Sequence, residues 1–571
     1  MEKEQYLVLR NEMMKTAEKL IAESNFEDSD TKMQEIKDLY AKWESTKLAN
    51  ANLKALKDND EVNAKDGYVQ DRLDYASEKS DYPINVKDYG AVGDGVTDDT
   101  EAIQSALDHI QSNSGGTLFF PDGVYKVHNT LEVFQGTKIL LSHKAVIERG
   151  SAFSPMFLNG RRDDQYTLYN GQGNILIEGG TIDGGGNINS RASEIMFAHA
   201  RNITIKEVNF INNYDSHSIE INSIYGAKIV NCTFSQYSGE RLTEAIQIDL
   251  MISSDAFPHM GIYDNTPCQD VLVQGCSFLS TSRGVGTHSA VTGFPATNIR
   301  IIGNHFENLE AQAVRGFDWN DVVVSGNTMI NCGEGVEIRS TQQDSCGWTV
   351  ANNVINGSHR LGHAISVTED NGYSAHNVTI VGNSCDGNNG NTFYFRNATR
   401  MNITGNTLSN GNASSMWFTG NINRITINGN TIDNTKSARG ISFEGGAMSR
   451  VSIINNTVDT TASFGIALYK VNHGIIANNY VRNTGNFGIY LTDNTDYVNV
   501  TGNKVFGSSG IHIRLSAGAN NNLVKGNHIH GDHNEAVGIT STCNNNAVIG
   551  NMARGRTISG GTNTYFAENV N

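Results

Sequence analysis

Three carboxylates lie within or beside segments in which apolar and polar residues alternate. Glu220 is in SIEINS (218–223), Asp249 is in AIQIDL (245–250), and Glu244 directly precedes the second segment. Paired carboxyl groups carry out most glycoside hydrolysis, because one protonates the leaving oxygen while the other activates water or attacks the sugar. We therefore predict Glu220 as general acid and Asp249 as general base, with Glu244 as the replacement for either.

The distance between Glu220 and Asp249 depends on how the two segments stack. Alternation predicts β-strands; with adjacent strands ~4.8 Å apart and two residues covering ~6.7 Å along a strand, the two backbone positions would be roughly 8 Å apart. An inverting glycosidase holds its carboxyl groups about 6.5–9.5 Å apart. Side chains could also close this gap to the shorter retaining distance, so the stereochemistry stays open.

Further charged residues occupy outward positions of later segments. They are His288, Arg315, Glu337 and Arg339, while His217 directly precedes the first segment. As a solvated strand face they would form only ion pairs, such as Glu337 with Arg315 or Arg339. Together with the carboxylates they favour a substrate-binding groove, in which His288 would be a general base, a donor to substrate or a stacked polar residue.

Aromatic residues continue the same outward columns. Tyr394 and Trp417 come first, followed by Tyr469 and Tyr490. Aromatic rings suit the apolar faces of sugars, and they also pack well between subunits. We take Tyr394 and Trp417 as candidate substrate-binding residues, with subunit packing as the equal alternative.

One six-residue pattern carries all of these positions. Its second and fourth residues are mostly Ile, Val, Leu or Phe, and its third and fifth are polar or variable, as in a strand. The copies start at 218, 245, 284, 313, 335, 364, 392, 415, 440, 465, 488, 510 and 538. Repeats at these intervals are typical of solenoids, in which each coil covers the unpaired backbone of the preceding coil.

An asparagine recurs ahead of these copies, where the chain must turn. Stacked amides can hydrogen-bond from coil to coil. Cys232 and Cys276 hold the equivalent places in two earlier coils, which predicts that they are buried turn residues. The asparagines are Asn304, Asn327, Asn353, Asn383, Asn406, Asn430, Asn456, Asn479, Asn503, Asn527 and Asn551.

The longest interval between copies contains an insertion, residues 251–270. It carries Asp255, His259, Tyr263 and Asp264. Loops on a rigid scaffold commonly shape binding sites. We expect the insertion to project beside the charged cluster, either as part of the site or as a structural loop.

The first part of the chain has a different period. Apolar residues follow helical steps over 1–56, which predicts a helical docking or oligomerisation segment, with a solvated helical hairpin as the alternative. Residues 57–81 are polar and predict a linker. We assign 82–192 as the entry and cap of the solenoid and 193–571 as the solenoid with its groove.

The solenoid entry reads YPINVKDYGAVGDGVTDDTEAIQSALDHI (82–110). Thr97 or Asp98 could cap a helix with apolar residues at 102, 103, 106, 107 and 110, and such a helix could close the end of a sheet. This stretch resembles the opening of the pectate-lyase-like right-handed β-helix proteins, which include bacteriophage tailspikes and pre-neck appendage proteins. The resemblance implies an all-β fold, a right-handed single-stranded parallel β-helix, together with carbohydrate-directed function and a homotrimer.

The resemblance does not assign a reaction. The polygalacturonase motifs Asn-x-Asp, Asp-Asp, Gly-His-Gly and Arg-x-Lys have only loose echoes here. Pectate lyases use calcium-binding acids and an arginine base, a role that Arg315 or Arg339 could imitate. We expect no metal and no other cofactor.

Composition excludes several classes of function. A formal net charge of -17 opposes wrapping of nucleic acid, and no apolar run reaches the ~20 residues of a membrane span. The first residues, MEKEQYLVLR, lack the basic start and apolar run of an export signal. This pattern favours a virion protein that is assembled in the cytoplasm, released by lysis, and active outside the host cell.

The resemblance, together with the missing export signal, therefore implies a phage tailspike or appendage depolymerase. It would bind and cleave a bacterial surface polysaccharide or teichoic-acid-like polymer and would join a tail or baseplate protein through the N-terminal helices. The rivals are a receptor-binding spike without catalysis and a polysaccharide lyase or epimerase. A lyase leaves an unsaturated, ultraviolet-absorbing product end, and an epimerase leaves chain length unchanged.

Overall fold

A computed structural model describes residues 83–188, 191–360, 362–531, 535–553 and 557–570. The predicted helical segment 1–56 and linker 57–81 lie outside the described residues. Within the described part, no helix is long and apolar enough to cross a bilayer.

The chain from Ile84 onward winds into a right-handed parallel β-helix with three faces. Most coils contribute one strand to each face in the order face 1, face 2, face 3, and each strand pairs in parallel with its counterparts in the neighbouring coils. The parallel pairing already runs from Ile84 to Asp183, so the segment predicted as an entry and cap contains regular coils.

Face 1 carries the six-residue pattern. Two long strands, Phe393–Thr404 and Met416–Asn428, run without a break from face 1 into face 2. The remaining face 1 strands are Leu131–Val133, Phe157–Asn159, Ile195–Ala198, Ile219–Asn222, Glu244–Asp249, Arg283–Gly286, Gln312–Phe317, Glu334–Ser340, Ile365–Glu369, Ile441–Glu444, Ile466–Tyr469, Ile489–Thr492, Ile513–Leu515, Glu535–Asn544 and Thr557–Thr562.

Faces 2 and 3 complete each coil. Face 2 consists of Ile84–Asn85, Gly116–Phe120, Thr137–Leu141, Ile175–Glu178, Arg201–Lys206, Tyr225–Val230, Gln269–Gln274, Thr297–Ile302, Asn320–Ser325, Ser345–Ala351, Ala375–Val381, Met448–Ile454, Val471–Ala477, Asp496–Thr501, Leu523–Lys525, Ala547–Ile549 and Tyr565–Ala567. Face 3 consists of Asp94–Asp98, Gly123–Val127, Ala145–Arg149, Thr181–Asp183, Asn209–Ile211, Thr233–Ser235, Ser277–Leu279, His305–Glu307, Thr328–Ile330, Val354–Asn356, Ser384–Asp386, Thr407–Ser409, Thr431–Thr435, Thr457–Thr461, Tyr480–Thr484, Lys504–Phe506 and His528–His530.

One α-helix, Thr100–Ser112, packs on the first coils, and short 3-10 turns lie at Val86–Tyr89 and Gly186–Ile188. The predicted apolar stripe of the helix is confirmed, because Ile103, Ala106, Leu107 and Ile110 are buried. Asp98 Oδ1 accepts from the Thr100 N–H at 3.0 Å, which satisfies one of the free donors of the first turn.

The predicted stacking of the six-residue segments is confirmed from 218 to 488. Glu220 lies opposite Gln247, and Asn222 lies opposite Asp249. The inward residues form a continuous core, in which Ile219, Ile246 and the residues aligned with them have almost no exposed surface. The diagonal relation of Glu220 and Asp249 follows from this register.

The predicted alignment of the last two copies is wrong by two residues. Ile489 lies opposite Ile513, and Ile513 lies opposite Val537, so these copies start at 512 and 536 instead of 510 and 538. Arg514, and not His512, therefore follows Tyr490 in the outward column. Alternation leaves this ambiguity, because a shift of two residues returns apolar side chains to the core.

The predicted asparagine ladder is confirmed. Each buried amide oxygen accepts from the backbone N–H and the side-chain amide of its predecessor, as Asn327 Oδ1 does from Asn304 at 2.9 and 3.0 Å. The same pattern continues to Asn551. Cys232 and Cys276 lie in line with it, since the Cys232 N–H contacts Cys276 Sγ at 3.4 Å and the Cys276 N–H donates to Asn304 Oδ1 at 2.9 Å.

Candidate functional site

A groove of about 380 Å³ lies over the third-position column of face 1. Its floor includes His217, Glu220, Gln247 and His288. Register alone brings these residues together, because they come from three coils and are separated by up to 71 positions in the chain. The predicted grouping of His217, Glu220 and His288 is therefore present.

The insertion 251–270 forms one wall of this groove, with Asp255 and His259 among the lining residues. Two of its own residues, Phe257 and Met260, are buried against Leu158 and Met196 of the solenoid. Apolar anchors of this kind give a loop a fixed position on its scaffold. The predicted position of the insertion beside the charged cluster is confirmed.

Glu220 has the properties of a carboxyl group that holds a proton near neutral pH. Its side chain is buried and accepts from Ser193 Oγ and Asn222 Nδ2, both at 3.2 Å. Burial raises the pKa of Glu220 to about 7, the charge of Asp249 adds to the rise, and the hydrogen bonds oppose it. A carboxylic acid with such a pKa can donate a proton at neutral pH.

His217 is a neutral imidazole. Its Nδ1 lies 2.7 Å from the Glu244 backbone carbonyl oxygen. Because a carbonyl oxygen only accepts hydrogen bonds, Nδ1 carries the hydrogen and Nε2 is unprotonated. Burial lowers the pKa of His217 to about 4, against the attraction of Glu244. The ring stacks on His288 with centroids 5.6 Å apart.

Glu244 lies at the centre of an ion cluster. Its Oε1 accepts from Arg315 Nη2 at 2.8 Å and lies 3.4 Å from Arg283 Nη1, while Oε2 lies 3.3 Å from His288 Nδ1. Burial alone would raise the pKa of Glu244, but the hydrogen bond from His288 and the charges of Arg315 and His217 hold it far below its usual range. Glu244 is therefore a permanent anion.

His288 responds to this anion in the opposite sense. Burial lowers the pKa of His288, but the hydrogen bond to Glu244 and the charge of Asp249 outweigh it, so the net pKa is raised. The His288 side chain keeps 48% of its surface exposed in the groove. It is thus an accessible imidazole with a raised pKa above a buried carboxylate.

Asp249 lies beneath the groove. Gln247 Nε2 donates to its Oδ2 at 2.5 Å, and Thr287 Oγ1 donates to its Oδ1. Burial raises the pKa of Asp249, opposed by the charge of His288 and by these two hydrogen bonds. Asp249, Phe317 and Trp319 line a separate small void.

A second pocket, of about 230 Å³, lies farther along the same face. It is lined by Arg283, Arg315, Arg339, Glu334 and Glu337. Gln312 Nε2 bridges the two acids, at 3.2 Å from Glu334 Oε2 and 3.0 Å from Glu337 Oε2. Burial and then the charge of Glu337 raise the pKa of Glu334 well above its usual range, which favours the neutral form of this acid.

Comparison with known sequences finds three matching families along the chain. Residues 83–363 match the family described as "Rhamnogalacturonase A/epimerase, pectate lyase-like", and residues 343–473 match the right-handed β-helix region family. These two matches and the parallel coils identify this protein as a right-handed β-helix protein. Residues 433–558 also match a family described as a periplasmic copper-binding protein.

Individual relatives match parts of this β-helix protein. Plasmin and fibronectin-binding protein A of Streptococcus pneumoniae is 29% identical over 305 residues, which is 47% of this chain and 42% of that protein. Alginate lyase 7 of Azotobacter vinelandii is 40% identical over 83 residues, 14% of this chain and 10% of that enzyme. The chain thus spans less than half the length of these relatives. A solved structure of a Streptococcus pneumoniae surface protein and adhesin aligns over 80% of this chain and all of that one, with a TM-score of 0.42 and 20% identity.

Three groups of the β-helix groove approach the spacing of a metal site. Ligand atoms of His217, Glu244 and His288 all lie within 4.8 Å of one another. Arg283 and Arg315 place two positive charges against the same carboxylate. These positive charges repel a divalent cation. The distances between the ligand atoms therefore favour a metal here, but the charge of the surroundings disfavours it.

The remaining predicted binding residues lie farther along face 1 of the β-helix. Arg339 borders the second pocket and forms two hydrogen bonds with Asp370, at 3.2 and 2.9 Å. Tyr394 stacks on His363 with centroids 5.0 Å apart and lies 5.5 Å from Trp417. These rings therefore continue the column beyond Glu337.

Several residues of the two pockets were not predicted. Glu334 and Arg283, like Glu244, directly precede a six-residue segment, and Glu244 lies opposite Arg283 in the register. A charged residue at the inward phase of a strand is itself a signal, because it must leave the core at the strand edge. Ser193, which bonds Glu220, gave no such signal.

Proposed function

We propose that this protein binds and hydrolyses a bacterial surface polysaccharide or a teichoic-acid-like polymer in the groove on face 1. The observation that supports this best is the pairing, on one groove floor, of Glu220, which holds a proton near neutral pH, with His217, which does not. Groups whose environments push their pKa values in opposite directions are a feature of acid/base sites.

In the proposed mechanism Glu220 transfers its proton to the glycosidic oxygen as the bond from that oxygen to the anomeric carbon breaks. A water molecule bonds to the anomeric carbon and gives its proton to the bare Nε2 of His217. The Glu220 carboxylate then takes up a proton from solvent and the His217 imidazolium releases one, which restores the starting states. Glu244 holds His217 through its carbonyl oxygen and His288 through its carboxylate.

Asp249 remains the alternative base. Its position diagonal to Glu220 fits a paired-carboxylate mechanism, whereas its hydrogen bonds from Gln247 and Thr287 occupy both oxygens. His217 reaches the groove without giving up such bonds. The two assignments are separable, because only the true base sets the acidic limb of the pH–rate profile.

The test is incubation of the purified chain with cell-wall polymers, followed by measurement of chain length and new reducing ends. Glu220→Gln keeps the shape of the side chain and removes the acid, so the rate should fall by about 10²–10⁴-fold. Glu240→Gln, at an exposed position, is the matched control. If folded Glu220→Gln protein retains near-full activity, Glu220 is not the acid.

A glycan-binding protein without catalysis is the second candidate. The match to plasmin and fibronectin-binding protein A favours a binding role over catalysis, although the ligands in that name are proteins. Intact polymer together with tight binding would support this candidate. An ultraviolet-absorbing product end would instead indicate a lyase, and unchanged chain length with altered sugar composition an epimerase.

We further propose that the protein works outside the host cell as a phage tailspike or appendage, as a homotrimer attached through residues 1–56. The opening segment 82–110 supports this through its resemblance to such proteins. Sedimentation of the full chain and of a chain lacking residues 1–56 would test the assembly. Trimers that persist without the segment would remove its oligomerising role.

A further inference from the structure

The cluster around Glu244 has more positive than negative partners. Arg283 and Arg315 share its one carboxylate, and His288 contacts the same group. Among the described residues, no other carboxylate lies within 4.0 Å of either guanidinium. Two buried arginines are thus left with a single direct counter-ion.

Both arginines show the consequence of this imbalance. Burial, and next the charge of Arg315, lower the pKa of Arg283 to about 10. The Arg315 side chain is only 9% exposed, and its Nε donor has no acceptor in the described part of the chain. A buried donor without an acceptor is costly, and natural structures rarely keep one without a reason.

Neighbouring acids do little to offset this charge. Burial and the charge of Glu337 raise the pKa of Glu334, which favours its neutral form, and Glu337 has Arg339 as its nearest cation, at 3.7 Å. Arg339 in turn is held by Asp370. The electrostatic potential in the open space of the pocket beside Arg283 and Arg315 is therefore positive.

The space and the chemistry match one kind of ligand group. The pocket of about 230 Å³ adjoins the groove, because Arg315 in its wall and His288 on the groove floor contact the same carboxylate. Guanidinium groups bind carboxylates and phosphates through paired hydrogen bonds. With a net charge of -17 the protein repels polyanions at long range, so an anionic ligand needs such a local cluster.

We infer that the pocket between Arg283 and Arg315 binds an anionic substituent, a carboxylate or a phosphate, of a glycan whose adjoining unit lies over Glu220. This inference rests on the proposed glycan-binding groove and adds the substrate class, an acidic polymer. The anion would accept from the guanidinium groups of Arg283 and Arg315, which line the pocket.

Calorimetric titration of the full-length Glu220→Gln chain tests this without turnover. The probes are inorganic phosphate, D-glucuronate and the uncharged methyl ester of glucuronate. We expect phosphate or glucuronate to bind at least tenfold more tightly than the ester. Whichever anion binds better identifies the source of the charge in the natural polymer.

Variants then locate the site. Arg283→Gln and Arg315→Gln should each weaken anion binding at least tenfold, and Arg482→Gln, at an exposed position on face 3, should not change it. Equal affinity for anions and ester, or unchanged binding in folded Arg283→Gln protein, would overturn the inference. Should an arginine variant fail to fold, the anion-to-ester ratio of the parent chain decides alone.

The outcome is independent of the hydrolytic proposal. Anion binding without polymer cleavage would leave the pocket as the recognition site of a binding protein. Cleavage without anion binding would keep Glu220 as the acid and reject the anionic subsite.

Discussion

Arg315 reaches Glu244 across an intervening coil. Their strands are separated by Arg283–Gly286, yet Arg315 Nη2 lies 2.8 Å from Glu244 Oε1. Gly286 allows this contact, because a Cβ there would lie 2.7 Å from the Arg315 carbonyl oxygen and 3.1 Å from Glu244 Cγ. The ion cluster thus depends on a missing side chain.

Replacement of Gly286 by Ala should separate Arg315 from Glu244. We expect affinity for the polymer and cleavage to fall about tenfold or more, since a buried ion pair broken on one side leaves a charge uncompensated. Gly474→Ala, with its nearest contact at 3.3 Å on face 2, is the control and should leave binding unchanged. Equal affinity in the Gly286→Ala chain would mean that the cluster does not serve binding.

The rate of hydrolysis should depend on pH as a bell. His217 must be unprotonated, which requires a pH above about 4, and Glu220 must be protonated, which requires a pH below about 7. The value of kcat/KM should therefore be largest between these limits. In Asp249→Asn protein the acidic limb should persist; its disappearance would transfer the role of base from His217 to Asp249.

The stability of the solenoid should fall as the solution is made neutral. Burial raises the pKa of Glu194 to about 7, so the folded state binds this proton more tightly than the unfolded state does. The stabilisation is complete below the unfolded pKa of ~4.3 and is lost as the pH rises through about 7.

Glu194→Gln should flatten this dependence. The slope of the unfolding free energy between pH 5 and 7, from urea titrations, should change by up to about 1.4 kcal/mol per pH unit. Glu240→Gln should keep the slope of the parent chain. Identical slopes in all three proteins would show that Glu194 is ionised in the folded state.

The asparagine ladder should carry a large share of coil stability. Asn383→Ala removes the acceptor of the Asn353 N–H and side-chain amide and the donor to Val350 O. Each buried group left without a partner costs about 1–3 kcal/mol, so we expect a loss of about 3 kcal/mol or more in urea unfolding. Asn402→Ala, at an exposed position of the next coil, should lower the unfolding free energy by less than about 1 kcal/mol, because surface substitutions usually have small effects. Similar losses in both variants would refute this role of the ladder.

The anchor of the insertion should be separable from the core. Phe257→Ala removes a ring buried with Leu158 and Met196, so limited proteolysis should cut the insertion sooner while the thermal midpoint of the solenoid changes little. Phe278→Ala removes a ring from the stacked core column, with centroids 4.8 and 4.6 Å from its neighbours, and should lower the midpoint by several degrees. The opposite order of effects would show that the insertion folds as part of the solenoid.

Most of the fold could be predicted from the sequence, because inward apolar residues and turn amides fix the register of each coil independently. The prediction failed at 510 because Ile511, Ile513 and Leu515 all fit the inward phase. In that coil the apolar residues permit two alignments, and only the pairing of Ile513 with Ile489 selects one.

Less of the site could be predicted. Outward columns placed Glu220 and His288 on one face correctly, since register determines which side chains share a surface. The outward columns do not indicate how deeply a side chain is buried. Asp249 was therefore predicted as an accessible base, although Gln247 and Thr287 enclose its carboxylate. Hydrogen bonds between coils decide depth, and they depend on rotamers that alternation does not specify.

The interval of 39 residues between the copies at 245 and 284 leaves Ile246 opposite Val285, as though the insertion were absent. Each strand takes its position from the coil below it and not from the length of its connection. The insertion that forms the groove wall can therefore become longer or shorter, or be replaced, without changing the stacking of the coils. In such a molecule, the choice of polymer and the durability of the scaffold can evolve along separate routes.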